Sequence, residues 1–316
     1  MNEIVKPYCD FYYYPEDMIE EEIKKGQFLD IERTIEFKAK QLSLVSKAFQ
    51  LGQVKDGDWF LVGDIFFPGI ESIKYMAELQ DIKVKIASFN YAGRADRYDF
   101  VRKLNDWSDY SELSYHMVCD IVFTGSANHK QSIEKYFNVI GDRVIVTGCV
   151  WDKDKAFELY PKIDEKEDYV IFPHRLCNEK GIDDFIKVCE MMPEYKFIVT
   201  SSSKNKSDIV FPSNVEYRYG LTKKEYYEIM SKAKYYLSTA YQETFGYTLR
   251  EALMYNCIIA APNRVCYPDM LPENVLYNNL EEIKTIFENG LIMGEDIVNQ
   301  YSNNILEIIN YLKNAR

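Results

Sequence analysis

The sequence predicts an α/β protein of two Rossmann-like, doubly wound domains facing a central cleft, and three observations carry that prediction. Short apolar runs alternate with amphipathic stretches along the chain, and the runs are apolar on both faces, as strands of a mostly parallel sheet are. The pattern halts in a polar stretch between Gly148 and Asp168, rich in Asp and Lys, and then restarts. The 316 residues, 47% of them hydrophobic, suit two cores better than one, at roughly 100–200 residues per domain. The boundary therefore falls near residue 150, giving an N-terminal domain over 1–150 and a second domain from 151.

Taken in order, Ile4–Phe11 predicts a first strand, and the acidic Pro15–Glu22 a loop leading to a helix. Thr34–Leu51 predicts an amphipathic helix, because Ile35, Phe37, Leu42, Leu44, Val45 and Phe49 follow roughly helical spacing. Trp59–Val62 is a strand ending in a Gly63–Gly69 loop, and Glu71–Leu79 a helix. Val84–Ala87 is the next strand, followed by helices over Arg94–Trp107 and Glu112–Val118. Asp120–Thr124 reads as strand, Ala127–Phe137 as helix and Arg143–Thr147 as strand. After the linker come strand Tyr169–Phe172, helix Gly181–Met192, strand Lys196–Thr200 and a flexible Ser201–Ser207 segment. Strand Val215–Tyr219, helix Thr222–Ala233 and an apolar strand over Lys234–Thr239 follow. Gly246 then bends the chain into a helix, Cys257–Ala261 is a strand, and Leu280–Glu288 and Ile297–Lys313 are closing helices.

Composition narrows the function classes. The net charge of −12 argues against a protein that coats nucleic acid nonspecifically. No run of about 18 apolar residues predicts a membrane span, and Met1–Lys6 lacks the basic-then-apolar order of a secretory leader. The seven cysteines are odd in number and form no C-x-x-C pair, so buried thiols of a cytoplasmic protein are expected rather than a disulfide framework or zinc site. No G-x-G-x-x-G follows a strand, which weakens a dinucleotide-dependent oxidoreductase.

Two loops carry the chemistry. Tyr241–Glu251 runs from a strand into a helix, where open α/β sheets bind ligands. Glu243 precedes that helix and Glu251 lies about two turns later, so both are expected to face one cleft. Carboxylates bond vicinal hydroxyls well, so a ribose or hexose is their natural partner. Backbone N–H groups around Phe245, Gly246 and Tyr247 would meet a phosphate or sugar oxygen. Arg175 and Lys180 stand past the strand Tyr169–Phe172 at the entry to the helix near Gly181, a receptor for a diphosphate. The plain alternative for each loop alone is a solvated surface.

Together these residues resemble the GT-B glycosyltransferases, in particular the large retaining family, glycosyl transferases group 1, with two glutamates eight positions apart. Arg175, Glu179, Lys180 and Gly181 are similar to the family's Arg…Glu-Lys-Gly loop. Glu243-Thr-Phe-Gly-Tyr-Thr-Leu-Arg-Glu251-Ala252 is similar to its Glu…Phe-Gly…Glu-Ala signature, and Gly148–Phe157 to its hinge. The resemblance implies an enzyme, a hexosyl- or pentosyltransferase acting on a nucleotide-sugar donor without metal or other cofactor. Arg175 and Lys180 would bind the donor diphosphate, Glu243 the transferred sugar and Glu251 the ribose. Phe245, Gly246 and Tyr247 would offer backbone contacts, and the base would lie near Gly220. In these terms residues 1–150 are the acceptor domain, 151–296 the donor domain, and the helix within 297–316 crosses back onto the first. The catalytic set would be Glu243, Arg175 and Lys180.

The first half departs from the family: Cys9–Pro15 stands where a Gly-rich loop is expected, and Asn90 where a histidine near the sugar is expected. Acceptor-side candidates are Asp64 and Asp96, at carboxyl ends of strands, with Asn90 and His129. Capping is the plain role of each aspartate. His116 reads as packed, and His174 as lining the donor pocket. Asp152-Lys-Asp154 looks like a D-x-D metal motif, but its place in the linker favours a turn. The acceptor stays open between a glycan, a small molecule, a lipid, a protein and a hydroxymethylated base in viral DNA. For DNA, Arg94, Arg97, Arg102 and Lys103 form a basic cluster. The rival of another class is a noncatalytic nucleotide- or sugar-binding module on the same fold.

Overall fold

The computed structural model describes residues 31–138, 141–201, 209–300 and 304–314, and the chain divides into two compact units. The first runs to Gly125, takes in His129–Val150 and resumes at Asn304; the second holds Ser126–Asn128 and the chain from Trp151. The strand expected over Ile4–Phe11 and the loop Pro15–Glu22 lie outside the described residues, as does the segment after Ser201.

In the first unit α1 (Ile31–Gln50) leads to β1 (Trp59–Val62), α2 (Ile70–Leu79), β2 (Lys85–Asn90), α3 (Trp107–Val118), β3 (Ile121–Thr124), α4 (Ala127–Tyr136) and β4 (Val144–Val146). The four strands pair in the order β1-β2-β3-β4, all parallel. Strand side chains alternate between faces, so each face builds its own core. Val62, Ile86, Val122 and Val144 pack with Val45 and Phe49 of α1, Ile70 and Ile73 of α2, and Ile133 of α4. On the other face, Ala87, Phe89, Ile121 and Phe123 pack against Ile305, Ile308 and Ile309.

The second unit contains α5 (Lys153–Leu159), β5 (Glu167–Phe172), α6 (Ile182–Met191), β6 (Lys196–Ser201), β7 (Val215–Tyr219), α7 (Lys223–Lys232) and β8 (Ala233–Leu237). After these come α8 (Tyr247–Met254), β9 (Ile258–Pro262), β10 (Leu276–Tyr277), α9 (Glu282–Asn289) and α10 (Glu295–Asn299). Its sheet is parallel in the order β10-β9-β8-β5-β6-β7. The chain enters at β5, steps outward through β6 and β7, then returns to the other side of β5 with β8. That reversal makes the β5–β8 boundary the topological switch point, beside which ligands bind in open sheets. The apolar runs are buried as their composition predicts: Val170, Ile171, Phe172, Ile198, Val199, Tyr236 and Leu237 are all 0–1% exposed.

Three expectations need correction. Arg94–Trp107 is not a helix but a series of turns with a 3-10 segment at Phe100–Lys103. The Arg94 guanidinium donates to the Val101 and Leu104 carbonyls, both at 3.1 Å, holding that segment as a loop. The linker carries α5, whose cap is Asp152: its carboxylate accepts from the Lys155 N–H at 2.9 Å. Ile297–Lys313 is broken into α10 and α11 (Ile305–Asn314), because Gln300 turns extended at ψ 127°. Asn304 then donates its amide to Thr147 O at 2.9 Å and Cys149 O at 2.8 Å, fixing α11 to the first unit.

Candidate functional site

The loops that follow β5 and β8 leave adjacent parallel strands, and they are tied together through the backbone. The N–H groups of Tyr241 and Gln242 donate to Glu179 O at 2.8 and 3.1 Å. The Thr239 hydroxyl donates to Lys180 O and Gly181 O, each at 2.9 Å. Gly181 holds φ +67°, and a Cβ there would lie 2.1 Å from Thr239 O, so only glycine permits this approach. Arg264, which no motif marks in the sequence, donates to the Thr239 and Ala240 carbonyls at 2.9 Å and covers the Tyr241 ring.

This knitting brings Lys180 onto Glu243. The Lys180 ammonium donates to Glu243 Oε2 at 3.1 Å and to Gln242 O at 2.8 Å, with both ionic side chains mostly buried. Glu243 Oε1 accepts from the N–H groups of Gly246 at 3.1 Å and Thr244 at 3.2 Å. Burial alone would push this carboxyl upward, but Lys180 and the surrounding donors outweigh it and hold it at about 2. Glu243 is therefore a fixed anion. Lys180 has spent two of its three N–H donors on these contacts, which leaves one for a ligand. Arg175 pairs with Glu179 through Nη2, and its side chain is 61% exposed, within reach of an incoming anion.

His174 lies behind the pair, buried, with Nε2 3.3 Å from the Tyr236 hydroxyl, which in turn meets Thr248 Oγ1 at 3.0 Å. Burial, then the Lys180 charge, lower its pKa to about 3, so the ring is neutral near pH 7. Gly246 caps α8 at φ +72°. The Phe245 side chain is buried and so contributes only backbone, whereas Tyr247 is 40% exposed.

Glu251 meets different neighbours from Glu243. Its Oε2 accepts from the Tyr226 hydroxyl at 2.5 Å and its Oε1 from the Tyr227 hydroxyl at 2.8 Å. Burial raises its pKa, against the lowering by both tyrosine bonds. Nothing in the sequence marks these two tyrosines among its 26. Gly220 ends β7, the edge strand two places from β5, about 10 Å across the sheet. Its φ is +64°, and a Cβ there would meet nothing within 4 Å.

The acceptor-side candidates all fall in the first unit. Asp64 pairs with Lys38 at 2.6 Å and accepts from the Phe66 N–H at 3.1 Å. Asn90 and Thr124 are register partners at the carboxyl ends of β2 and β3. The Asn90 amide lies 3.1 Å from His116 Nε2. Thr124 Oγ1 lies 2.6 Å from His129 Nδ1, and His129 Nε2 3.3 Å from Asp96. Asp96 also accepts from the Gly93 N–H at 3.0 Å. Glu112, missed in the sequence, joins them: it accepts from the Arg94 N–H at 2.8 Å and lies 4.0 Å from His116. Burial pushes Glu112 up to about 8 and His116 down to about 4. Glu112 Oε1, His116 Nδ1 and Asn90 Oδ1 are buried without a hydrogen-bond partner. Arg94 leaves the basic cluster: it is buried and forks onto Asp109 at 2.7 and 2.9 Å. Among the described residues, no group of three or more His, Cys, Asp or Glu is arranged to hold a metal ion, and no helix is long and apolar enough to cross a membrane.

The family model described as glycosyl transferases group 1 matches residues 154–310. A tRNA-queuosine alpha-mannosyltransferase of Drosophila melanogaster is 27% identical over 128 residues, 37% of this chain and 34% of that protein. Among solved structures, TarM is similar at TM-score 0.61 and 18% identity, over 85% of this chain and 57% of its own. A sucrose-phosphate synthase of Thermosynechococcus elongatus is similar at TM-score 0.60 and 14% identity, over 89% and 75%. A glycosyltransferase of Rickettsia africae is similar at 0.60 and 14%, over 94% and 84%. These structural likenesses show a GT-B fold. The chain spans about a third of the length of the curated relative it matches.

Proposed function

We propose that the chain, whose residues 154–310 match the family model of glycosyl transferases group 1, moves a sugar from a nucleoside-diphosphate sugar to an acceptor hydroxyl with retention of configuration. The observation that carries the reading is the Lys180–Glu243 pair at the switch point between β5 and β8. The bond from the anomeric carbon to the donor phosphate oxygen breaks, and negative charge gathers on the departing diphosphate. The remaining Lys180 N–H and the exposed Arg175 guanidinium meet that charge, the large electrostatic term in such chemistry. The acceptor oxygen bonds to the same face of the sugar, and its proton passes to the departing phosphate. Glu243, held ionised, accepts hydrogen bonds from sugar hydroxyls and does not serve as a proton donor. Glu251 takes the ribose. Neutralisation by Arg175 and Lys180 makes turnover independent of divalent metal, so EDTA leaves the rate unchanged. The odd number of cysteines and the lack of a C-x-x-C pair support a reducing, cytoplasmic setting.

The acceptor reading that a particular observation favours is a hydroxyl carried on a modified nucleobase. Its support is the similarity to a protein named for mannosyl transfer to a tRNA nucleoside. Glycans remain the comparison class. The test is release of nucleoside diphosphate from a panel of nucleotide sugars, with modified tRNA, hydroxymethylated DNA and oligosaccharides as acceptors. Lys180→Ala is expected to lower turnover by about 10²–10³-fold. Normal transfer by both Lys180→Ala and Glu243→Gln would sink the reading. Binding of a nucleotide sugar with no turnover on any acceptor would instead identify a noncatalytic module.

A further inference from the structure

Both carboxylate oxygens of Glu251 are held by tyrosine hydroxyls from one helix, α7. That helix is itself fixed at both ends. At its start, Thr222 and Glu225 form a reciprocal capping box. At its end, the Lys166 ammonium donates to the carbonyls of Ser231 at 2.8 Å and Ala233 at 2.9 Å, and to Tyr255 O beyond α8 at 2.6 Å. The Tyr227 ring stacks on Tyr160 with centroids 4.4 Å apart, and the Tyr255 hydroxyl donates to Tyr160 O at 2.7 Å. Tyr227 cannot turn away from Glu251 without losing this stack, and the Tyr226 ring lies edge-on against Tyr227 with centroids 5.2 Å apart.

An ionised carboxylate offers about four acceptor directions. The two tyrosines fill two of them, which leaves two, and a ribose diol supplies two O–H donors. We propose that Tyr226 and Tyr227 are positioning residues that aim the remaining acceptor directions of Glu251 at the ribose diol, and so make the donor site select ribonucleotides over deoxyribonucleotides. The inference rests on the donor role given to Glu251 under the proposed function. Against the burial that opposes it, the tyrosine hydroxyls and then the Lys223 charge favour the ionised carboxylate. Removing a hydroxyl therefore moves the acidic limit of diol binding to higher pH.

The experiment measures calorimetric binding of UDP, GDP and ADP and their 2′-deoxy counterparts to the whole chain between pH 5 and 8. Wild type, Tyr226→Phe, Tyr227→Phe and Glu251→Gln are compared. Wild type is expected to prefer the ribo form by about tenfold or more, since a hydrogen bond to a charged group is lost with the hydroxyl. Each Phe variant is expected to lose most of that preference, to bind the deoxy form nearly as wild type does, and to weaken toward acid at a higher pH than wild type. Glu251→Gln should show no preference and no acidic limb from this residue. A wild type that binds while both Phe variants keep the same ribo-to-deoxy ratio and pH limb overturns the inference alone. A wild type that binds no nucleotide of the panel overturns the donor reading, and this inference with it.

Discussion

Gly181 and Gly220 share a positive φ, but only Gly181 is crowded. Gly181→Ala must displace the Thr239 carbonyl and separate the two loops, so it is expected to cost about 3 kcal/mol or more. Gly220→Ala pays only for its left-handed conformation, about 1 kcal/mol. Urea unfolding of the two variants should rank them in that order; equal losses would show that the close approach at Gly181 is relieved cheaply. The same contrast explains which residues the sequence could reveal. Arg175, Lys180 and Glu243 were legible because each sits a few positions past an apolar strand, in a loop that a glycine closes at Gly181 or Gly246. Tyr226, Tyr227, Thr239 and Glu112 were not, because their partners lie 25, 24, 58–59 and 18 positions away and no local pattern records them. Arg94 misled for the same reason: its partner Asp109 is 15 positions away, and a cation beside other cations looks like surface.

At the scale of elements, strands were the most legible feature, since parallel strands buried on both faces must be apolar runs. The start of α7 was legible at its cap Thr222, whereas α5 was not, although Asp152 caps it. Thr222→Ala removes the side-chain half of the capping box on α7, leaving the backbone bond to Glu225, and is expected to cost about 1 kcal/mol. Because α7 carries Tyr226 and Tyr227, the same variant should also weaken nucleotide binding, a coupling readable by thermal shift with and without UDP. Loss of stability with unchanged affinity would separate the cap from the site. Less legible were the elements that tertiary contacts interrupt. The Arg94–Trp107 stretch had enough apolar residues for a helix, but the Arg94 side chain takes its carbonyls in another geometry. The break at Gln300 was unmarked except by the polar run Ser302-Asn303-Asn304. Strand order, and hence the switch point, is not a property of any local stretch.

For the molecule as a whole, acid and base act on different buried groups. Glu112 has a folded pKa of about 8 against an ordinary value of 4.5, so its contribution is fully favourable below pH 4.5 and is lost as pH rises toward 8. His116, lowered to about 4 from 6.5, contributes above pH 6.5 and loses that contribution as pH falls toward 4. Glu112→Gln keeps the shape without the ionisation. Its melting temperature should exceed that of wild type at pH 8, by an amount worth a few kcal/mol at most, and the gap should close by pH 4.5. A gap independent of pH would mean that Glu112 is not the group titrating.

Helix α11 has one more consequence. It supplies Ile305, Ile308 and Ile309 to the sheet face bearing Phe89 and Phe123, although the rest of that unit precedes Trp151. Synthesis delivers Asn304–Arg316 after every other part of the first unit, so the face bearing Phe89 and Phe123 is the last to be covered. A chain truncated after residue 303 should therefore show protease resistance in the second unit alone, whereas the full chain resists in both. Equal resistance of both units in the truncated chain would show that the aromatic face holds without its cover.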